Sequence, residues 1–167
     1  MQLTPHFSLH ELIHSDTATR LEIDNTPTKA AKNNLKILAE GLEEVRSTLN
    51  GTPITISSGY RCLELNRLLK SKDTSAHVLG LAADFSCNRY ATVKEVMEVL
   101  SSSSVEFDTL ILEFNSWIHI SFPKKGDAPR YRIYEIDKNI YQRRPSGFDC
   151  NLDAKGTQPI SSQSWCQ

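Results

Sequence analysis

Between residues 28 and 49, Ala31, Leu35, Leu38, Leu42, Val45 and Leu49 recur at alternating spacings of four and three, which is one apolar stripe of an α-helix. Asn25-Thr26-Pro27 offers a cap residue and an early proline before it, and Asn50-Gly51 offers a left-handed stop after it. The chain then enters Pro53-Ile54-Thr55-Ile56-Ser57, whose β-branched residues, bounded by proline and a Ser-Ser-Gly turn, predict a strand. A helix running straight into a strand sets an α+β class.

The rest of the chain extends that pattern. A short helix is expected over residues 8–14, with Ser8 as cap and Glu11 completing a capping box. Further helices are expected over about 62–71 and from Thr92, which caps Val93, Val96, Met97 and Leu100 on one face. Thr109 to Phe114 and Trp117 to Phe122 predict two strands of a β-hairpin. With 167 residues, a single domain over residues 1–144 is expected, followed by an irregular extension over 145–167 that is rich in Ser, Gly, Pro and Gln. Residues 124–144 hold seven basic and three acidic side chains, readable either as a solvated face or as a surface for anionic wall polymers. The formal net charge of -1 excludes the basic excess of a nucleic-acid or membrane-surface protein. No run approaches the roughly 20 apolar residues of a membrane span. The start carries no signal-peptide pattern, so synthesis in a cytosol is expected. Cys62, Cys87, Cys150 and Cys166 form no CxxC pair and are expected as thiols.

Two histidines call for an explanation. His77 lies seven residues before Asp84, and the small apolar residues between them predict that Asp84 sits on a buried strand, where a lone carboxylate is costly. His119 alternates with Trp117 and Ser121 on one strand face, while Ile118, Ile120 and Phe122 take the other. Two imidazoles and a carboxylate from His77, Asp84 and His119 suit one zinc ion with a position left open for water. The chemistry then lacks a general base, for which Glu113 is the candidate. A three-residue turn places Glu113 opposite His119 on the same face; a two-residue turn sends it to the other. Arg61, where the first strand turns toward a helix, can clamp a substrate carboxylate or pair with a neighbour such as Glu64. His6, His10 and His14, at four-residue spacing, can mimic a metal site on one helical face, although no carboxylate is fixed beside them.

Ser58-Gly59-Tyr60-Arg61, then Ser75-x-His77-x-x-Gly80-x-Ala82-x-Asp84, then Glu113-Phe114-x-x-Trp117-Ile118-His119-Ile120-Ser121 resemble the zinc D-alanyl-D-alanine carboxypeptidase family, which includes VanY- and VanX-type enzymes and phage cell-wall peptidases. Phe7-Ser8-Leu9-x-Glu11-Leu12 and Ile23-Asp24-Asn25-x-Pro27 are similar to its compact endolysin-like branch. The resemblance covers roughly residues 7 to 122. It implies His77, Asp84 and His119 as zinc ligands, Arg61 as a substrate contact and Ser75 as a hydrogen bond to substrate near the metal. Many relatives carry an acid three positions before the last histidine, where this chain has Ser116, so Glu113 takes the base role here. Ala76 replaces a frequent glutamine beside the first ligand. Ser75 also reads as a helix cap, and Trp117 as a pocket wall or a core residue.

The expected protein is an α+β, hedgehog-like domain: a small antiparallel sheet with packed helices and a zinc site at the sheet edge. Its expected activity is hydrolysis of peptide bonds in peptidoglycan stem peptides, as a carboxypeptidase or an endopeptidase. The expected setting is a phage-type lysis enzyme reaching the cell wall by holin release, with a monomer favoured. A non-catalytic, zinc-stabilised wall-binding or virion module and a D-Ala-D-Ala dipeptidase are the alternatives.

Overall fold

In the computed structural model, residues 1–136 are described; the extension over 145–167 and the end of the basic stretch lie outside them. The long helix forms as the stripe predicts, as α3 (Lys29–Thr48), with Ala31, Leu35, Leu38, Leu42 and Val45 buried. Thr28 is its cap, accepting the Ala31 N–H through its side chain. The expected cap, Asn25, is occupied elsewhere: it donates to the carbonyls of Ile13 and Tyr60 and accepts from the Cys62 N–H. Asn50 and Gly51, at φ 55 and 72, end the helix as expected.

Before α3 lie α1 (Leu9–Ile13), capped by Ser8, and α2 (Asp16–Arg20), a turn the sequence did not announce. After it come β1 (Thr55–Ser58), α4 (Leu63–Leu68), α5 (Ala76–Leu79), β2 (Ala82–Ser86) and α6 (Val93–Ser101), followed by β3 (Thr109–Glu113), β4 (Trp117–Ser121) and β5 (Arg132–Ile136). In α6, Thr92 and Glu95 close a capping box.

The strands form one sheet in the order β1-β2-β4-β3-β5. The α+β class is borne out. The antiparallel sheet gains a parallel edge, because β5 pairs with β3. That strand arises within the stretch read only as basic. Along the central strands alternate residues divide cleanly: Ala83, Phe85, Leu110, Leu112, Ile118 and Ile120 join the core with α3 and α6, and α6 packs on β3 and β4. The opposite face carries the buried polar residues Asp84, His119, Ser121 and Thr109, with Ala82 and Ile111 between them. Period-two alternation thus builds an oily face and a chemical face from the same strands. Among the described residues no helix is long and apolar enough to cross a membrane.

Gly80 ties the layers together. It ends α5 at φ 73, and a Cβ there would lie 2.8 Å from the carbonyl oxygen of Ala31 in α3. Gly51 shares its left-handed backbone but faces open space. Gly80→Ala is therefore expected to lower the urea-unfolding midpoint by the equivalent of about 2–3 kcal/mol, and Gly51→Ala by about 1 kcal/mol. Equal losses would remove the role given to the α3–α5 approach.

Candidate metal centre

His77 comes from α5, a single turn that tertiary bonds hold in place. Ser75 caps it by accepting the His77 N–H at 3.3 Å, and Asn34 of α3 donates to the Leu79 carbonyl at 2.8 Å. The His77 ring is fixed by its Nδ1, 2.7 Å from the carbonyl oxygen of Gly59. A carbonyl only accepts, so Nδ1 carries the proton and Nε2 presents a lone pair. Gly59 itself can be no other residue without movement, since a Cβ there would lie 2.2 Å from the Leu12 carbonyl oxygen.

Asp84 and His119 face each other across β2 and β4 as directly paired residues. His119 Nδ1 lies 2.8 Å from Asp84 Oδ1, His77 Nε2 lies 3.3 Å from the same oxygen, and the two ring nitrogens are 3.2 Å apart. Zinc bonds of about 2.0–2.1 Å to nitrogen and oxygen, set tetrahedrally, require donor separations of about 3.3 Å. His77, Asp84 and His119 are all buried, and they form a group that can hold a metal ion. Two imidazoles and one carboxylate suit zinc and leave a coordination position uncommitted.

The second carboxylate oxygen is also used. Arg61 Nη2 donates to Asp84 Oδ2 at 2.7 Å and approaches His77 Nε2 at 3.1 Å, while its Nε donates to Ser58 Oγ at 2.9 Å. A bulge between Ile56 and Ser58 brings Ser58, rather than Ser57, opposite Asp84. Arg61 therefore pairs with Asp84 rather than Glu64, and it orients a candidate metal ligand. Burial alone works to raise the Asp84 pKa, yet the charge and hydrogen bonds of His77 and His119 hold it well below the usual carboxylate range. His77 is pushed down chiefly by burial, with Arg61 and His119 adding to the effect against Asp84.

Glu113 stands on the same face as His119, as a three-residue turn requires. The register corrects the expectation in one respect: Glu113 pairs directly with Trp117, and Ile111 is the residue opposite His119. Glu113 thus approaches the ligands diagonally. Phe114 and Asn115 build the turn at φ 54 and 52, an uncommon backbone for a bulky aromatic. The Phe114 ring stands edge-on to Trp117 at 5.3 Å. Trp117, directly across the strand pair from Glu113, lines the cleft beside it.

The remaining sequence candidates separate from this centre. His6 binds Glu43 at 2.8 Å, His14 binds Asp16 at 2.9 Å, and His10 stacks on His14; the three do not converge. Cys62 and Cys87 are free thiols, and Cys62 caps α4 through its sulfur. Ser75 and Trp117 line the same cleft as the three candidate ligands. At about 1160 Å³ this cleft exceeds the size usual for a small-molecule pocket and suits an extended chain. Asn25 was missed as part of the site: its three hydrogen bonds pin the Tyr60–Cys62 corner that carries Arg61.

Burial, helped by the Asp84 charge and opposed by His119, Arg61 and the Trp117 hydrogen bond, pushes Glu113 up to about 6. A carboxyl raised on folding stabilises fully below its unfolded value near 4.5, and that stability is lost as pH rises through about 6. In chelator-treated protein, Glu113→Gln is expected to increase stability by on the order of 1–2 kcal/mol at pH 8 and to change little at pH 4. Thermal melts of both proteins at the two pH values check this; a destabilised variant at pH 8 would refute it.

No curated protein matches the chain. The family model for Peptidase M15 matches residues 5–121, a span that runs from ahead of α1 to the end of β4 and contains Arg61, all three candidate ligands and Glu113. With a buried His-Asp-His group inside that span, the chain belongs to the Peptidase M15 family and has the makings of a metallopeptidase.

Proposed function

We propose that this protein is a zinc-dependent peptidase that cuts peptide bonds in peptidoglycan stem peptides. The observation that carries the reading is the convergence of His77 Nε2, Asp84 Oδ1 and His119 Nδ1 within about one tetrahedral edge of each other, with Glu113 on the same sheet face. Zinc held there supplies a Lewis acid that polarises the scissile carbonyl and lowers the pKa of water.

The chain's own groups supply the proton handling. Glu113, whose carboxyl is raised by burial to about 6 in the metal-free protein, is the base that accepts a proton from the attacking water and returns it to the leaving amine. Trp117, paired with Glu113 across the hairpin, walls the cleft beside the carboxylate. Arg61 keeps Asp84 oriented, and Ser75 and Trp117 border the bound peptide. The family match supports the substrate class, and the open cleft supports an extended peptide. A phage-type lysis role is the finer form of this reading, supported by the likeness of residues 7–27 to the endolysin branch.

Purified protein is expected to contain one zinc per chain by elemental analysis and to release new amino groups from purified peptidoglycan, with release stopped by chelator and restored by zinc. Asp84→Ala is expected to lose the metal. Glu113→Gln is expected to keep the metal and lose at least about 100-fold in kcat, the low end for removal of a general base. Zinc without release from walls of any chemotype, or from free D-Ala-D-Ala, would instead identify a zinc-stabilised binding module.

A further inference from the structure

The cleft extends past the metal centre onto β5, which lies beyond the matched span of residues 5–121. Arg132 on β5 is in register with Thr109 on β3, and Thr109 is in register with Ser121 on β4. Directly paired residues share a sheet face. Since Ser121 is two residues from His119, the row of Arg132, Thr109 and Ser121 lies on the face that carries the metal ligands. All three line the cleft.

Arg132 differs from its neighbours in how its donors are used. Its Nε is buried and has no hydrogen-bond partner among the described residues. Arg61 is committed to Asp84 and Ser58, and Arg130 is committed to Asp108. Lys124, which also borders the cleft, is exposed. A guanidinium stays charged at any accessible pH, and a buried N–H without an acceptor is a rare and unfavourable feature of a folded chain. With Nε covered, the terminal Nη end of this partly exposed, cleft-lining side chain is the part that meets a ligand, and its planar geometry best fits a carboxylate.

The position also fits a peptide. Strands lie about 4.8 Å apart, so β5 is about 10 Å from the strand of His119. Arg132 also sits about 7 Å along the strands from His119, so an extended peptide advancing about 3.3–3.6 Å per residue places it beside a group about three residues from the bond at the metal.

We infer that Arg132 is a specificity-determining residue that receives a carboxylate of the stem peptide, from a strand outside the matched span of residues 5–121. The inference rests on the peptidase reading above. The carboxylate can be the peptide's own C terminus or a side-chain carboxylate within the stem, and the test separates the two.

Zinc-loaded full-length protein, Arg132→Gln and Arg132→Lys would be assayed on synthetic stem peptides that are unmodified, amidated at the C terminus, amidated at the side chain, or amidated at both. Peptide binding to Glu113→Gln and to Glu113→Gln carrying Arg132→Gln would be measured by calorimetry. Wild type should prefer one free carboxylate, and the amidation that abolishes the preference identifies its source. Arg132→Gln should lower kcat/KM for the preferred peptide by about 10- to 100-fold, mostly in KM, with a much smaller loss on the doubly amidated peptide. Arg132→Lys should recover part of the loss. Equal losses on all four peptides, or an intact preference in Arg132→Gln, would overturn the inference. Cleavage with no carboxylate preference in wild type would overturn it and leave the peptidase reading standing. Carboxylate-dependent binding lost with Arg132→Gln, but without cleavage, would do the reverse, and peptides neither bound nor cut would overturn both.

Discussion

Asp84 holds a negative charge on a strand flanked by β1 and β4, where water does not reach it freely. Everything around the centre can be understood as the means of keeping that charge. One oxygen meets two imidazoles and the other meets a guanidinium. Each partner is fixed in turn: His77 by the Gly59 carbonyl, Arg61 by Ser58, and the corner bearing Arg61 by Asn25. A buried charge with partners on both oxygens is tolerable, whereas the same charge missing one partner is strongly unfavourable. The segments that meet here come from the first, second and last thirds of the domain, so the centre is also a set of long-range constraints on folding.

The sheet converts one-dimensional alternation into two environments. Ile118 and Ile120 seal the core while His119, the residue between them, faces the cleft. A one-residue slip of β4 would exchange the two sets, burying an imidazole among Leu110 and Phe85 and presenting isoleucines to substrate. The strained turn at Phe114 and Asn115 is one device that pins this register, because its length decides which residues of β3 and β4 stand opposite each other.

How much of this could be read from the sequence depended on whether local or distant groups decide each feature. The α3 stripe, the Thr92 cap of α6 and the alternation around His119 are set within a few residues, and all were legible. The grouping of His77, Asp84 and His119 was legible because imidazole and carboxylate at apolar positions need a reason to be there. Features settled by distant partners were not. Asn25 looks like a cap for α3, but the backbone groups at Ile13, Tyr60 and Cys62 claim its side chain and Thr28 caps instead. The α5 turn has only four residues and exists because Asn34 and Ser75 hold its ends. The β5 strand was hidden by its charge, since Arg132 and Glu135 interrupt the apolar pattern and its pairing with β3 depends on residues far away in sequence. The exact partner of Glu113 turned on left-handed backbone at a phenylalanine, which no propensity favours.

The bulge in β1 has a consequence away from chemistry. β1 forms one margin of the sheet, and a margin with free backbone donors and acceptors invites a second molecule to add its own strand. Here the margin is four residues long and its hydrogen-bonding rhythm is broken between Ile56 and Ser58, so an incoming chain would find neither the length nor the regular spacing that intermolecular pairing needs. The irregularity that sets Ser58 beneath Arg61 thus also guards the protein against edge-to-edge self-association.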